Sequence, residues 1–103
     1  MEFKELQQKV NENVANYEKN HDVDFNKDTA LLKLFEEVGE FTQAVLVHQK
    51  KCRAEKRISE EESKEKMSAE LADVLGMTII CADRLDIDLE KAIGDKWIDK
   101  EKK

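Results

Sequence analysis

Apolar residues at steps of three and four open the chain. Phe3, Leu6, Val10, Val14 and Tyr17 fall on one stripe of an otherwise polar segment, which predicts an amphipathic helix from about Phe3 to Asn20. The period breaks between His21 and Lys27, where Asp and Asn gather, and Asp28 offers an N-cap for a second helix over about Thr29 to Glu55. Leu31, Leu34, Phe35, Val38, Phe41 and Val45 form its expected core stripe, and Leu32, Leu46 and Val47 are apolar on other faces. A helix apolar on more than one face is expected at the centre of the fold, or against a second subunit. A basic stretch, Lys50 to Arg57, follows. Ser59 then opens a capping box with Glu62 for a third helix over about Glu60 to Leu85. Its second half, Leu71 to Ala82, is almost wholly apolar and reads as buried, Met77 and Cys81 included. Asp88 caps a fourth helix from Leu89 to about Asp99, and His48 reads as surface.

Composition narrows this to one class. The 103 residues contain no proline and three glycines, which suits long helices and leaves little for hairpins or Gly-rich phosphate loops. The expectation is a single domain over residues 1–103, all-α, an antiparallel helical bundle of these four helices with no internal repeat. Lys and Arg number 18 against 24 Asp and Glu, a net charge of −6, so duplex nucleic acid and anionic membrane surfaces are poor partners. No apolar run approaches the roughly 18 residues of a spanning helix. The polar opening segment and two cysteines without CxxC spacing, Cys52 and Cys81, fit free thiols and a cytoplasmic location.

Five acids stand apart from the solvent-facing majority. Glu36, Glu37 and Glu40 interrupt the apolar second helix as E-E-V-G-E; Glu70 and Asp73 interrupt the third as E-L-A-D. An unpaired buried carboxylate costs several kcal/mol even after relaxation, which a purely structural chain rarely accepts repeatedly. Glu37 and Glu40 share a helix face at i, i+3, and so do Glu70 and Asp73. An antiparallel turn near residue 55 places Glu37 opposite Asp73 and Glu40 opposite Glu70, so four carboxylates converge. A divalent cation is their natural partner. All-oxygen ligands suit Mg²⁺ or Mn²⁺ and disfavour zinc and copper. A di-iron centre needs Glu-x-x-His twice, and neither His21 nor His48 follows a Glu by three.

The pair of motifs, E-E-x-x-E and then E-x-x-D in apolar helices, resembles the MazG-like all-α nucleoside triphosphate pyrophosphohydrolase superfamily. The likeness extends from Leu31 to Lys100 and includes L-L-K-L-F before the first motif and L-D-I-D-L-E-K-A after the second. It implies a MazG-like antiparallel bundle of four to five helices assembling as a homodimer or homotetramer, and Mg²⁺-dependent hydrolysis of a (d)NTP to the (d)NMP and pyrophosphate, a house-cleaning type of activity. It assigns metal binding to Glu37, Glu40, Glu70 and Asp73. Glu36 becomes a catalytic candidate, for a second metal or for orienting water, and Lys96 matches a lysine aimed at substrate phosphates. Members often carry asparagine near Lys100 and a large apolar residue at Gly76.

No P-loop G-x-x-x-x-G-K is present, so lysines must help bind the phosphates, with Lys33, Lys96 and Lys100 as candidates. Lys33 is also spaced for an i, i+4 ion pair with Glu37. Tyr17, Phe25 and Trp97 are candidates to stack on a base, although core packing is the commoner fate of such residues. Two other readings stand beside the first: a related phosphoribosyl-nucleotide pyrophosphohydrolase, and a helical interaction module without turnover.

Overall fold

A computed structural model describes residues 1–99, and within them the chain is all helical. Helix α1 spans Phe3–His21, α2 spans Lys27–His48, α3 spans Glu60–Arg84 and α4 spans Leu89–Ile93. A single 3₁₀ turn, Ala54–Lys56, sits in the connection between α2 and α3, and α4 runs on into a π-turn at Gly94–Ile98.

The helix starts follow capping chemistry. Ser59 Oγ accepts the Glu62 N–H at 3.1 Å, and Asp88 Oδ1 accepts that of Lys91 at 3.1 Å. The second helix starts two residues earlier than Asp28 suggests, because Asn26 Oδ1 accepts the Thr29 N–H at 2.9 Å and leaves Asp28 inside the first turn. Its end departs further from the expectation. The helix stops at His48, seven residues before Glu55, where Lys50 takes a left-handed φ of 59°. The Lys51 N–H then reaches back to Leu46 O at 2.8 Å and the Lys50 N–H to Val47 O at 3.0 Å, the paired bonds of a Schellman motif. Asp86 ends α3 the same way, at φ 55°, and Asp22 closes α1 at φ 52°. None of these three positions is a glycine; the ends of α1 and α3 nonetheless fall within one residue of the expected Asn20 and Leu85.

Helices α2 and α3 form an antiparallel hairpin with the most extensive packing in the molecule. At its closed end the ring of His48 meets Ser63, Nδ1 to Oγ at 2.7 Å, while Ser63 Oγ donates to Glu60 O at 2.9 Å. His48 is therefore half-buried and pinned, where the sequence suggested plain surface. At the open end, Val14 of α1, Phe25, Ala30 of α2 and Met77, Ile80 and Cys81 of α3 make the core, flanked by Val10 and Leu34. Both cysteines are free thiols.

Arg84 fastens this end. Its guanidinium donates from Nε to Phe25 O at 2.7 Å and contacts Glu18 Oε1 at 3.2 Å, while Glu18 Oε2 accepts the Phe25 N–H at 2.8 Å. The loop between α1 and α2 is thus held on both of its Phe25 backbone groups by one ion pair. Lys4 binds Asp88 at 2.8 Å and ties the start of α1 to the cap of α4.

Burial corrects two readings. The inward stripe of α2 is Ala30, Leu34, Glu37, Phe41, Ala44 and His48, whereas Leu31, Leu32, Phe35 and Val38 are exposed, Phe35 at 67%. Alanines share the inward contact with Leu34 and Phe41, and α3 rather than α2 is the central helix, since both α1 and α2 pack on it. In the Leu71–Ala82 run only the last turns, Met77 and Ile79–Ala82, are buried, and Leu71 and Leu75 stay half exposed. A continuous apolar run on a helix covers all its faces, and here α1 and α2 cover only some of them. No helix among the described residues is long and apolar enough to cross a membrane.

Candidate metal and nucleotide site

Midway along the hairpin the inward stripe of α2 carries Glu37, and Glu40 follows one turn on. Across from them α3 offers Glu70 and Asp73 at the same i, i+3 spacing. One carboxylate oxygen from each of Glu37, Glu70 and Asp73 lies within 4.8 Å of the other two, and the same holds for Glu36, Glu37 and Glu40. Glu37 belongs to both sets, so the two triads share a corner.

The electrostatics record the crowding. Burial first, and then the charges of Glu40 and Asp73, push the Glu37 carboxyl up to about 7, helped by a hydrogen bond from its protonated form to Glu40. Desolvation, Glu40 and Asp73 raise Glu70 in the same way. Glu37 Oε2 and Glu70 Oε2 are buried with no hydrogen-bond partner among the described residues. Orphaned buried oxygens in one cluster of acids are a poor arrangement for a bare protein and a fitting one around a cation. Ligands that are oxygen throughout suit Mg²⁺ or Mn²⁺.

The other candidates are placed as follows. Glu36 is exposed and ion-paired with Lys33 one turn earlier, so Lys33 meets Glu36 rather than the Glu37 its spacing offered. That contact holds the Lys33 ammonium above its ordinary range. Lys96 is exposed on the π-turn and lines neither cleft beside the carboxylates. Trp97, on the same turn, is 71% exposed and also lines neither. Lys100 lies outside the described residues. Phe25 is core; Tyr17 stacks on it with ring centroids 5.9 Å apart and remains half exposed.

Two clefts flank the acids. One, about 640 Å³, runs between α1 and the hairpin; Glu37, Asp73 and Lys33 stand at its edge, and Asn13, Asn16, Tyr17 and Asn20 of α1 face it. The other, about 570 Å³, opens on Glu40 and Glu70 and is lined by Gln43, Val47, Lys56, Ile58 and Lys66. The sequence reading overlooked the asparagines. Asn is a weak helix former, yet Asn11, Asn13, Asn16 and Asn20 fall within one helix, which was the available signal. Lys56 and Lys66 had no signal beyond the basic stretch that contains the first.

A family model described as the MazG nucleotide pyrophosphohydrolase domain matches residues 25–103. No curated protein and no solved structure matches the chain.

Proposed function

Since the chain belongs to the MazG nucleotide pyrophosphohydrolase family, we propose that it hydrolyses a nucleoside triphosphate to the monophosphate and pyrophosphate at the four-carboxylate cluster, with Mg²⁺ as cofactor. The observation that carries the reading is the meeting of Glu37, Glu40, Glu70 and Asp73 from two helices, with two oxygens buried and unpartnered. These four residues would hold the ion. Bound Mg²⁺ supplies the positive charge that lets a polyanionic triphosphate approach acids and makes water a better nucleophile.

The protein's own groups do the rest. The nucleoside enters the cleft along α1, where the amides of Asn13, Asn16 and Asn20 offer donors and acceptors and the Tyr17 ring an exposed face. The water oxygen bonds to the α-phosphorus. The bond from that phosphorus to the α–β bridging oxygen breaks, and its electron pair departs with pyrophosphate. The water proton leaves to solvent, with Glu36, exposed at the edge of the cluster and outside the four ligands, as the carboxylate placed to orient that water. Glu36 keeps Lys33 at the rim of the same cleft, near the incoming phosphates. Lys96, which lines neither cleft of its own chain, would serve the site from another copy. Such assembly into a homodimer or homotetramer is supported by the bare apolar face of α2 and by a radius of gyration of 16.3 Å, against about 13 Å for a compact chain of this size.

A nucleotide panel with Mg²⁺, resolved by chromatography, tests the reaction. Equal amounts of monophosphate and pyrophosphate are expected. Glu40→Gln and Glu70→Gln should each reduce turnover by about 10² or more. Orthophosphate with nucleoside diphosphate would overturn the assignment.

A further inference from the structure

The two clefts beside the carboxylates are chemically unlike. Along α1 the lining is aromatic and amide-rich, and its one lysine, Lys33, is already ion-paired with Glu36. The cleft at the α2–α3 connection holds two lysines, Lys56 and Lys66, both between Glu40 and Glu70 in the chain. Neither makes an ion pair with an acid within 4 Å among the described residues. Lys66 sits one turn before Glu70 on α3 and acts on its charge. Lys56 closes the 3₁₀ turn, and Ile58 lines the same space. This is also where an otherwise acidic chain concentrates positive charge, in Lys50, Lys51, Arg53, Lys56 and Arg57.

We propose that the connection cleft is the pyrophosphate subsite, with Lys56 and Lys66 gripping the β- and γ-phosphates. The triphosphate then lies across the hairpin. Its nucleoside occupies the α1 cleft, its scissile α–β bond crosses the carboxylates, and the leaving group points toward the connection. The inference rests on the proposed reaction for its direction. The binding itself is separable, since pyrophosphate is a product that can be added alone. Lysines act on it as point charges that favour the leaving anion.

Calorimetric titration of pyrophosphate in the presence of Mg²⁺ tests it without any need for turnover. In Lys56→Gln/Lys66→Gln, pyrophosphate should bind about tenfold or more weakly, while a nucleoside monophosphate keeps its affinity within about twofold. Lys56→Arg/Lys66→Arg should restore most of the loss. Lys19→Gln/Lys27→Gln removes the same charge outside both clefts and should bind pyrophosphate like the parent. If the control pair loses as much, or if the monophosphate weakens equally, the subsite is wrong. It is equally wrong if the parent binds no pyrophosphate. Parent protein that releases pyrophosphate from a triphosphate, yet binds it indifferently to Lys56 and Lys66, upholds the reaction and overturns the subsite. Protein that cleaves no triphosphate, but binds pyrophosphate through these lysines, does the reverse.

Discussion

The two faces of α2 invert the usual arrangement. The face against α3 carries Ala30 and Ala44 on either side of Glu37, with Leu34 and Phe41 between; the face turned away carries Leu31, Leu32, Phe35 and Val38. Small residues permit close approach of two helices, and the separation of packed helices is set by the side chains at the contact. Close approach is what brings Glu37 within 4.8 Å of Glu70 and Asp73. The inner face therefore gathers the acids, and the outer face is left apolar and exposed.

Disturbing the inner face should have the largest effect. Ala44 is 1% exposed, so Ala44→Leu must prise the helices apart, at a cost of about 1–3 kcal/mol in a chemical melt. Turnover should fall beyond what the loss of folded protein explains. Phe35→Glu strikes the outer face. It should weaken self-association by about tenfold or more in sedimentation, while far-UV circular dichroism stays helical. A monomeric parent would remove the contrast between the faces. The inner face should also respond to acid. Glu37 titrates near 7 when folded against an ordinary 4.5, so the folded chain binds the extra proton between those values. Without metal, stability should be greatest below about pH 4.5 as far as this group is concerned, and should fall as pH rises through 7. Melts in EDTA between about pH 5 and 8 check this, and Glu37→Gln should flatten the slope. Saturating Mg²⁺ should offset the loss at the alkaline end. The smallest effect lies outside: a methyl on Gly39 meets nothing within 4 Å, so Gly39→Ala should stabilise the chain by about 0.5–1 kcal/mol. Loss of stability there would mean that a second copy seats closer on this face than bare Leu32 and Phe35 suggest.

What the sequence disclosed depended on whether its signal was local. Ser59 and Asp88 carry their capping partners three residues on, and charges inside apolar helices are conspicuous, so the four acids were legible with their cross-helix pairing. The inner stripe of α2 was legible only in part: Leu34 and Phe41 lie on it as expected, but Ala30 and Ala44 carry too little hydrophobic signal to stand out beside Leu31, Phe35 and Val38. The end of α2 was missed because Lys50 adopts a left-handed conformation that usually signals glycine. The Arg84 contacts with Glu18 and Phe25 join residues far apart in the chain and leave no periodic trace. Lys66 looked like one more solvated charge, and only the fold puts it in a cleft with Glu70.

That same Arg84 contact orders events in time. Its partners are 59 and 66 residues away, whereas a short connection joins α2 to α3. Chain closure over the shorter loop comes at lower entropic cost, so the hairpin assembles first on refolding and α1 docks last. Interactions made last are missing from the transition state, so loosening Arg84 speeds unfolding and leaves the refolding rate nearly untouched. Run backward, this sequence makes the cheapest excursion from the native state the one that lifts α1 from α3. That excursion should widen the cleft between α1 and the hairpin, the one whose edge carries Glu37 and Asp73.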